Sequence, residues 1–298
     1  NLTKAQEVLV EYMNTRNMLE RNGIKLEEGD FYYTNFGDIT DNHWGIFGKD
    51  NNTLEKFINF STLTEIEKDF IKTLYSSEEL QTPLDEGFRG HPSIGALVMS
   101  LVDFEQEPWK SFWSSVNSLT AERSTKVFIY GSIFGGTGAA GLPTIAKIIK
   151  DKTKTTEGKW KVDLGGILLL PYFTFEPPKQ GTKGMFVTVN DFPLAAKAAL
   201  KFYSSLDDTS FDDIYLLGEV TENSLGEFST GTQSQKNKSH YLELLAAFSS
   251  LDFMHTVKPP TDVKKRVFLS ARNNDDTIRW EDIPYARDNN TRFHYHKA

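Results

Sequence analysis

Hydrophobic residues from Lys126 onward follow two alternating patterns, which together predict an α/β fold. Short apolar runs at residues 127–130, 164–170 and 213–218 indicate buried strands. Apolar residues at helical spacing follow in residues 142–149 and 239–253. The run at 164–170 has almost no polar interruptions, which is typical of a strand covered on both faces in a parallel sheet. We therefore predict a mostly parallel sheet with helices on both faces.

The first half of the chain is predicted to be mainly helical. Apolar residues recur at helical spacing in residues 2–13, and Gly23 supplies a stop signal. Residues 64–67 form a capping-box pattern ahead of another helix. Further helical patterns cover residues 94–104 and 108–119. The apolar face of the capped helix is interpreted as core and consists of Ile66, Phe70, Ile71 and Leu74.

A glycine-rich segment separates the first predicted strand from its helix. Residues 131–141, GSIFGGTGAAG, contain five glycines. Glycine permits close backbone approach, and free N–H groups at a helix start point at an anion, so this arrangement favours phosphate binding. The alternative is a tight connection without a ligand, and no Lys-Ser/Thr pair marks a P-loop. The predicted phosphate contacts are Gly135, Gly136, Thr137 and Gly138. A side chain at Gly136 is expected to occupy the space of the phosphate.

A second candidate loop lies earlier, in residues 86–95, EGFRGHPSIG. Gly87 and Gly90 permit a tight turn, and the proline that follows can open a helix. Arg89 and His91 add positive charge beside that helix start, although an ordinary surface or loop role is open for each. We predict that Gly87, Arg89 and Gly90 contact phosphate.

These stretches resemble motifs of the tubulin/FtsZ superfamily, in the same order. Residues 135–149, GGTGAAGLPTIAKII, are similar to its GGGTGTGAAPVIA signature. Residues 86–95 are similar to the GAGGNPEIG phosphate loop, and residues 171–176, PYFTFE, resemble the PFxFEG segment. Three ordered matches are more specific than one. The resemblance covers residues 86–253.

The resemblance implies a domain organisation and a ligand. It implies a tubulin-like nucleotide-binding domain over residues 1–257, including a central helix, and the start of a smaller C-terminal α+β portion over residues 258–298. It also implies bound GTP or GDP with Mg²⁺, and it directs Glu176 towards the ribose. The start of the central helix would contact the base, where the amides of Gln235 and Asn237 match a guanine edge. A capping role for Asn237 is equally open.

Three functions remain open. The resemblance implies a GTP-binding protein that assembles into homo-oligomers or filaments and hydrolyses GTP with acids from the next subunit. No clean match to that acidic loop exists, so no catalytic residue is assigned, and the positional candidates are Asp275, Asp276, Glu281 and Asp282. The alternative is a non-polymerising scaffold or regulatory subunit that binds protein partners in a bacterial defence complex. An NAD-type Rossmann enzyme ranks last because the ribose-binding acid is missing.

Composition narrows the remaining classes. The chain has 298 residues and a net charge of −8, which argues against a nucleic-acid surface. The absence of cysteine excludes disulfides and thiolate metal sites. No apolar run approaches about 18 residues, so no membrane span is predicted, and without a visible signal peptide we expect a cytoplasmic protein. His294 and His296 lack a third ligand, so no metal site is predicted.

Overall fold

The computed structural model describes residues 2–25, 53–84, 87–88, 90–120, 125–154, 162–177, 188–205, 210–219, 223–227, 240–255 and 266–272. The helices in these ranges are α1 (Leu2–Arg21), α2 (Leu54–Phe57), α3 (Glu65–Leu74), α4 (Ser77–Gln81), α5 (Pro92–Ser100), α6 (Trp109–Thr120), α7 (Gly136–Thr153), α8 (Phe192–Ser205) and α9 (Tyr241–His255). The strands are β1 (Thr125–Ser132), β2 (Val162–Leu169), β3 (Phe173–Glu176), β4 (Asp213–Glu219), β5 (Asn223–Glu227) and β6 (Arg266–Arg272).

The main sheet has four described strands in the order β1-β2-β4-β6, and all of their pairings are parallel. The predicted parallel sheet is therefore confirmed. A second pair, β3 with β5, is also parallel. β6 follows the boundary predicted at residue 258 and joins the main sheet. Residues 273–298 lie outside the described ranges, so a separate C-terminal portion stays a prediction.

Helices cover both faces of the main sheet. Leu164 and Leu168 of β2 pack in one cluster with Leu142 of α7 and with residues of α6 and α8. Ile167, on the opposite face of β2, packs with Leu242 and other residues of α9. Successive strand residues point to opposite faces, so an unbroken apolar run serves both clusters.

Two adjacent glycines in β2 allow aromatic rings to lie directly on the sheet. A Cβ added at Gly165 would come within 2.9 Å of the Phe253 ring of α9. A Cβ at Gly166, on the other face, would overlap the Phe211 ring. Both rings are almost completely buried. Their packing therefore depends on the absence of side chains at the centre of the sheet.

A buried ion pair ties the end of α7 to the start of the sheet. Lys150 is buried, and its Nζ lies 2.5 Å from Oδ2 of Asp212. Lys150 Nζ also donates to the carbonyl of Val162 at 3.1 Å, and the same Asp212 oxygen accepts from the Leu164 amide at 2.7 Å. These hydrogen bonds compensate the desolvation of both charges and fix the C-terminal end of α7 against β2.

The first half of the chain has a core of its own, in which α3 takes little part. The predicted capping box is confirmed, with mutual contacts between Thr64 and Glu67. The core residues come from α2, α4, α5 and nearby loops: Leu54, Tyr75, Leu80, Leu84, Phe88, Ile94 and Val98. Of the α3 residues interpreted as core, only Ile71 packs against this cluster. The interpretation is wrong for the exposed residues Ile66, Phe70 and Leu74.

Alanine substitutions at two buried glycines should shift stability in opposite directions. Gly166→Ala places a methyl group inside the Phe211 ring and should lower the free energy of unfolding by about 1–3 kcal/mol. Gly141→Ala, in the interior of α7 with no atom within 4 Å of the added Cβ, should raise it by about 0.5–1 kcal/mol. Urea unfolding measures both, and equal stability of the two variants would contradict the packing described.

Candidate functional site

The glycine-rich segment lies at the carboxyl end of β1, where α7 begins. Gly135 is the N-cap residue, and no side chain caps the helix. A Cβ at Gly138 would overlap the carbonyl oxygen of Ser132, so this glycine lets the helix start against the end of the strand. A Cβ at Gly135 would meet only Ser132 Oγ, at 3.8 Å, which leaves space beside the first N–H groups of α7. Such N–H groups suit an anion.

The second predicted loop contacts the first. The backbone N–H of Phe88 donates to Thr137 Oγ1 at 3.4 Å, although the two residues are 49 apart in sequence. A Cβ at Gly87 would lie 3.0 Å from the same hydroxyl. Gly87 and Gly90 have φ values of +92° and +81°, which glycine adopts without strain. Two segments predicted separately to hold phosphate are thus brought together.

Gly136 has a different role from the one expected. A Cβ at this position would lie 2.8 Å from the backbone nitrogen of His91 and 2.9 Å from Cβ of Phe88. The expectation that a side chain here would displace phosphate is wrong, because Phe88 and the backbone of His91 occupy that space. Gly95 and Ala140 extend the close contact along α5 and α7. Gly136 therefore permits the two loops to pack.

Of the two cationic residues in the second loop, Arg89 and His91, the structure describes only His91. Arg89 lies outside the described residues. His91 turns towards α4, with Nδ1 3.7 Å from Oε1 of Glu79. A carboxylate therefore faces the His91 ring, which favours the structural alternative for this residue. Tyr75 reinforces the arrangement by donating to the carbonyl of Ser93 at 3.2 Å. Burial raises the pKa of Tyr75, and the charge of Glu79 raises it further.

The third motif lies beside the glycine-rich segment. Its aromatic residues and Phe192 of α8 surround Phe134, the buried residue directly before Gly135. The ring centroid of Phe134 is 4.8 Å from that of Phe192 and 5.5 Å from that of Phe173. Glu176 lies at the exposed end of β3. The predicted base contacts, Gln235 and Asn237, lie outside the described residues, as do the four positional acids and the two C-terminal histidines.

An acid–histidine pair that the site prediction omitted lies at the same edge of the sheet. Glu219 ends β4, and its side chain is 4% exposed. Its Oε2 is 3.2 Å from Nε2 of His240, which precedes α9. The position of Glu219, directly after a buried strand, is a signal that sequence offers for ligand binding in open parallel sheets. Nothing local in sequence marks His240 as its partner.

The hydrogen bonds of His240 define its tautomer. Its Nδ1 accepts from the backbone N–H of Leu242 at 3.2 Å, so a neutral ring carries its proton on Nε2. The side-chain amide of Asn223 lies 2.8 Å from Nε2 and is its hydrogen-bond partner, while the Glu219 carboxylate lies nearby at 3.2 Å. Since Nε2–H is a donor, the favourable orientation of the Asn223 amide presents its oxygen to the ring.

Tyr172 links the third motif to α9. Its hydroxyl donates to Oε1 of Glu243 at 3.2 Å, and its ring centroid lies 5.0 Å from that of His240. Burial raises the pKa of Tyr172 to about 12, and the charge of Glu243 and the hydrogen bond to it add to the shift. Tyr172 is consequently a neutral hydrogen-bond donor at physiological pH.

Comparisons with known proteins found no matching family model, curated protein or solved structure. The three motifs and their positions therefore carry the tubulin/FtsZ resemblance alone. Within the described ranges, no group of three metal-ligating side chains was found. Among the same residues, no helix combines the length and apolar character needed to span a bilayer.

Removal of the Tyr172 hydroxyl should change how stability depends on pH. The pKa of Tyr172 is about 12 in the folded chain, whereas the ordinary pKa of tyrosine is 10.0, so the folded state retains this proton more tightly. The stabilisation that the protonated Tyr172 hydroxyl gives to the folded state is fully present below pH 10, and it is lost as the pH rises towards 12. Urea unfolding of wild type and Tyr172→Phe across this range should show that the difference between their free energies of unfolding shrinks with rising pH. A constant difference would exclude the assigned coupling.

Proposed function

We propose that this chain binds a nucleoside triphosphate, GTP by the tubulin/FtsZ resemblance, with its phosphates at the start of α7. The contact between the two glycine loops is the observation that supports this proposal most strongly. Phe88 of one loop bonds to Thr137 of the other at the carboxyl edge of a parallel sheet, where nucleotide sites of α/β proteins lie. Each loop sequence, taken by itself, also has the glycines and the helix start of a phosphate site.

The start of α7 has the chemistry that a phosphate requires. No side chain caps it, and Gly135 leaves open space before the first N–H groups. Thr137 is exposed, and its oxygen accepts from Phe88, so the hydroxyl proton remains able to donate to an anion. The helix dipole adds a favourable term for negative charge at this end. The proposed phosphate thus lies next to the exposed hydroxyl of Thr137 and the open space at Gly135.

The sugar and base would extend along the same edge towards β3 and α9. Glu176 is the proposed ribose contact, and Gln235 and Asn237 are the proposed base contacts. The proposed ligand is GTP or GDP together with Mg²⁺. A bound Mg²⁺ ion would offset the negative charge of the phosphates. The described residues offer no three-ligand protein cage, so phosphate oxygens and water would supply most of its ligands. In this proposal the nucleotide would lie across the carboxyl ends of β1, β2 and β4.

A charge substitution at Gly135 tests the phosphate site without disturbing its packing. The position accepts a side chain, and Asp and Asn are both good N-cap residues of nearly equal shape. Gly135→Asp should lower affinity for fluorescent GTP at least about tenfold relative to Gly135→Asn, because its carboxylate repels phosphate and occupies the same N–H groups. Thermal unfolding should show both variants to be at least as stable as wild type. Labelled ATP and NAD serve as competing ligands.

Two results would overturn the phosphate site. One is a wild-type protein that binds none of the three labelled nucleotides. The other is equal affinity of the Asp and Asn variants for GTP, since the site would then lie away from the start of α7.

Hydrolysis distinguishes two forms of the proposal. In the assembling form, a second copy supplies the groups that position water, so phosphate released per protein molecule should rise with protein concentration in the presence of GTP. In the scaffold form, a chain with intact GTP binding releases phosphate at a rate per molecule that does not change with concentration. A malachite-green assay over a concentration series separates them, with the Gly135→Asp variant as the control in which GTP binding is weakened.

A further inference from the structure

An apolar stripe runs along the solvent-facing side of α3. Ile66, Phe70 and Leu74 are 84%, 62% and 55% exposed. Their spacing of four residues puts them on one face of the helix, which we call the α3 stripe. The acidic residues Glu67 and Asp69 flank it on its two sides. The α3 stripe thus combines an uncovered apolar surface with a negative border.

A second apolar stripe runs along α8. Leu194 and Phe202 are 70% and 49% exposed, and exposed Ala198 lies midway between them. These three residues, again four apart, form the α8 stripe. Lys197 and Lys201 border it on one side. The α8 stripe therefore has the same length and spacing as the α3 stripe and a border of the opposite charge.

Three of the four bordering charges, those of Asp69, Lys197 and Lys201, are available to a partner, whereas the Glu67 carboxylate accepts hydrogen bonds from Thr64 in the capping box. Within the described part of the chain, no ion pair holds the side chains of Asp69, Lys197 or Lys201. The two lysines of α3 are engaged on other faces of that helix. Lys68 pairs with Glu65 at 2.9 Å, and Lys72 lies 5.9 Å from the centre of the Phe60 ring. Neither lysine neutralises the acidic border of the α3 stripe.

We propose that the α3 stripe of one copy of this chain docks on the α8 stripe of a second copy. Apolar side chains would pack between the two helices, and the acidic border of one would face the lysines of the other. Such a contact joins different surfaces of the two copies and leaves one stripe of each kind unoccupied. Further copies add at both ends, and the assembly is a ring if the rotation closes and a filament if it does not.

The size of the two surfaces sets the strength of the contact. Each stripe extends about 12 Å along its helix at 1.5 Å per residue. Two such surfaces bury less than the roughly 800 Å² per partner of a stable complex. Assembly is therefore weak and depends on protein concentration. Neither stripe includes a residue of the candidate nucleotide site, so this contact does not rest on the proposed function.

Two complementary variants test the contact by sedimentation velocity, without nucleotide, over a concentration series. The sedimentation coefficient of wild type should rise with concentration. Phe70→Asp disables the α3 stripe and Phe202→Asp the α8 stripe, so each variant alone should remain monomeric. An equimolar mixture should form dimers and nothing larger, because the intact α8 stripe of the first variant and the intact α3 stripe of the second make one contact only.

Matched controls keep the test specific. Glu78→Gln on α4 and Ser204→Ala on α8 change exposed residues outside the two stripes and should assemble as wild type does. Circular dichroism and cooperative thermal unfolding establish that the Asp variants are folded. Wild type that is monomeric throughout, an Asp variant that assembles like wild type, or a mixture without dimers would each overturn the proposal. A failure of GTP binding with assembly intact would refute the proposed function instead.

Discussion

The absence of side chains at two positions allows three segments of the chain to meet. Gly138 lies against the carbonyl oxygen of Ser132, so α7 begins where β1 ends. Gly136 lies against the backbone at His91, so the second loop rests on the start of the same helix. A Cβ at either position would overlap backbone atoms, which have little freedom to move. The candidate site therefore depends first on close packing of backbone, and its ligand chemistry follows from that packing.

The parallel sheet extends this constraint to the third motif and to α9. Beyond the paired strands, the Ile133 amide donates to the carbonyl of Leu169, and the Leu170 amide donates to that of Leu217. These bonds hold the segments that leave β1 and β2 in line at one edge. The Glu219–His240 pair does the same for β4 and α9. Segments that are distant in sequence are consequently held at the same edge of the sheet.

Local patterns predicted the elements of this fold well. The run at 164–170 identified β2 (Val162–Leu169), and the capping box identified the start of α3. Both signals arise from residues that are close together in sequence. At such short separations, spacing alone determines which side chains can interact. Glycine content likewise identified both loops, because tight turns and close approach need the same residue type.

The errors share one physical cause, which is that partners distant in sequence decide them. Helical spacing shows that α3 has an apolar face, but α2, α4 and α5 fill the neighbouring core and leave Phe70 exposed. The ring of His91 faces Glu79 instead of a ligand. Gly136 is needed for close contact with Phe88 and the backbone of His91, and the glycine itself does not encode that contact. The pairing of Glu219 with His240 likewise arises only when β4 and α9 are brought together.

Hydrogen exchange of the backbone amides, measured by mass spectrometry with and without GTP, tests the central claim most directly. If the two glycine loops jointly hold the phosphates, peptides covering residues 87–91 and 133–139 should gain protection together at the same GTP concentration. The peptide covering residues 223–227, at β5, provides an internal reference within the same sample. Protection of one loop without the other, or of neither while GTP is bound, would contradict the account.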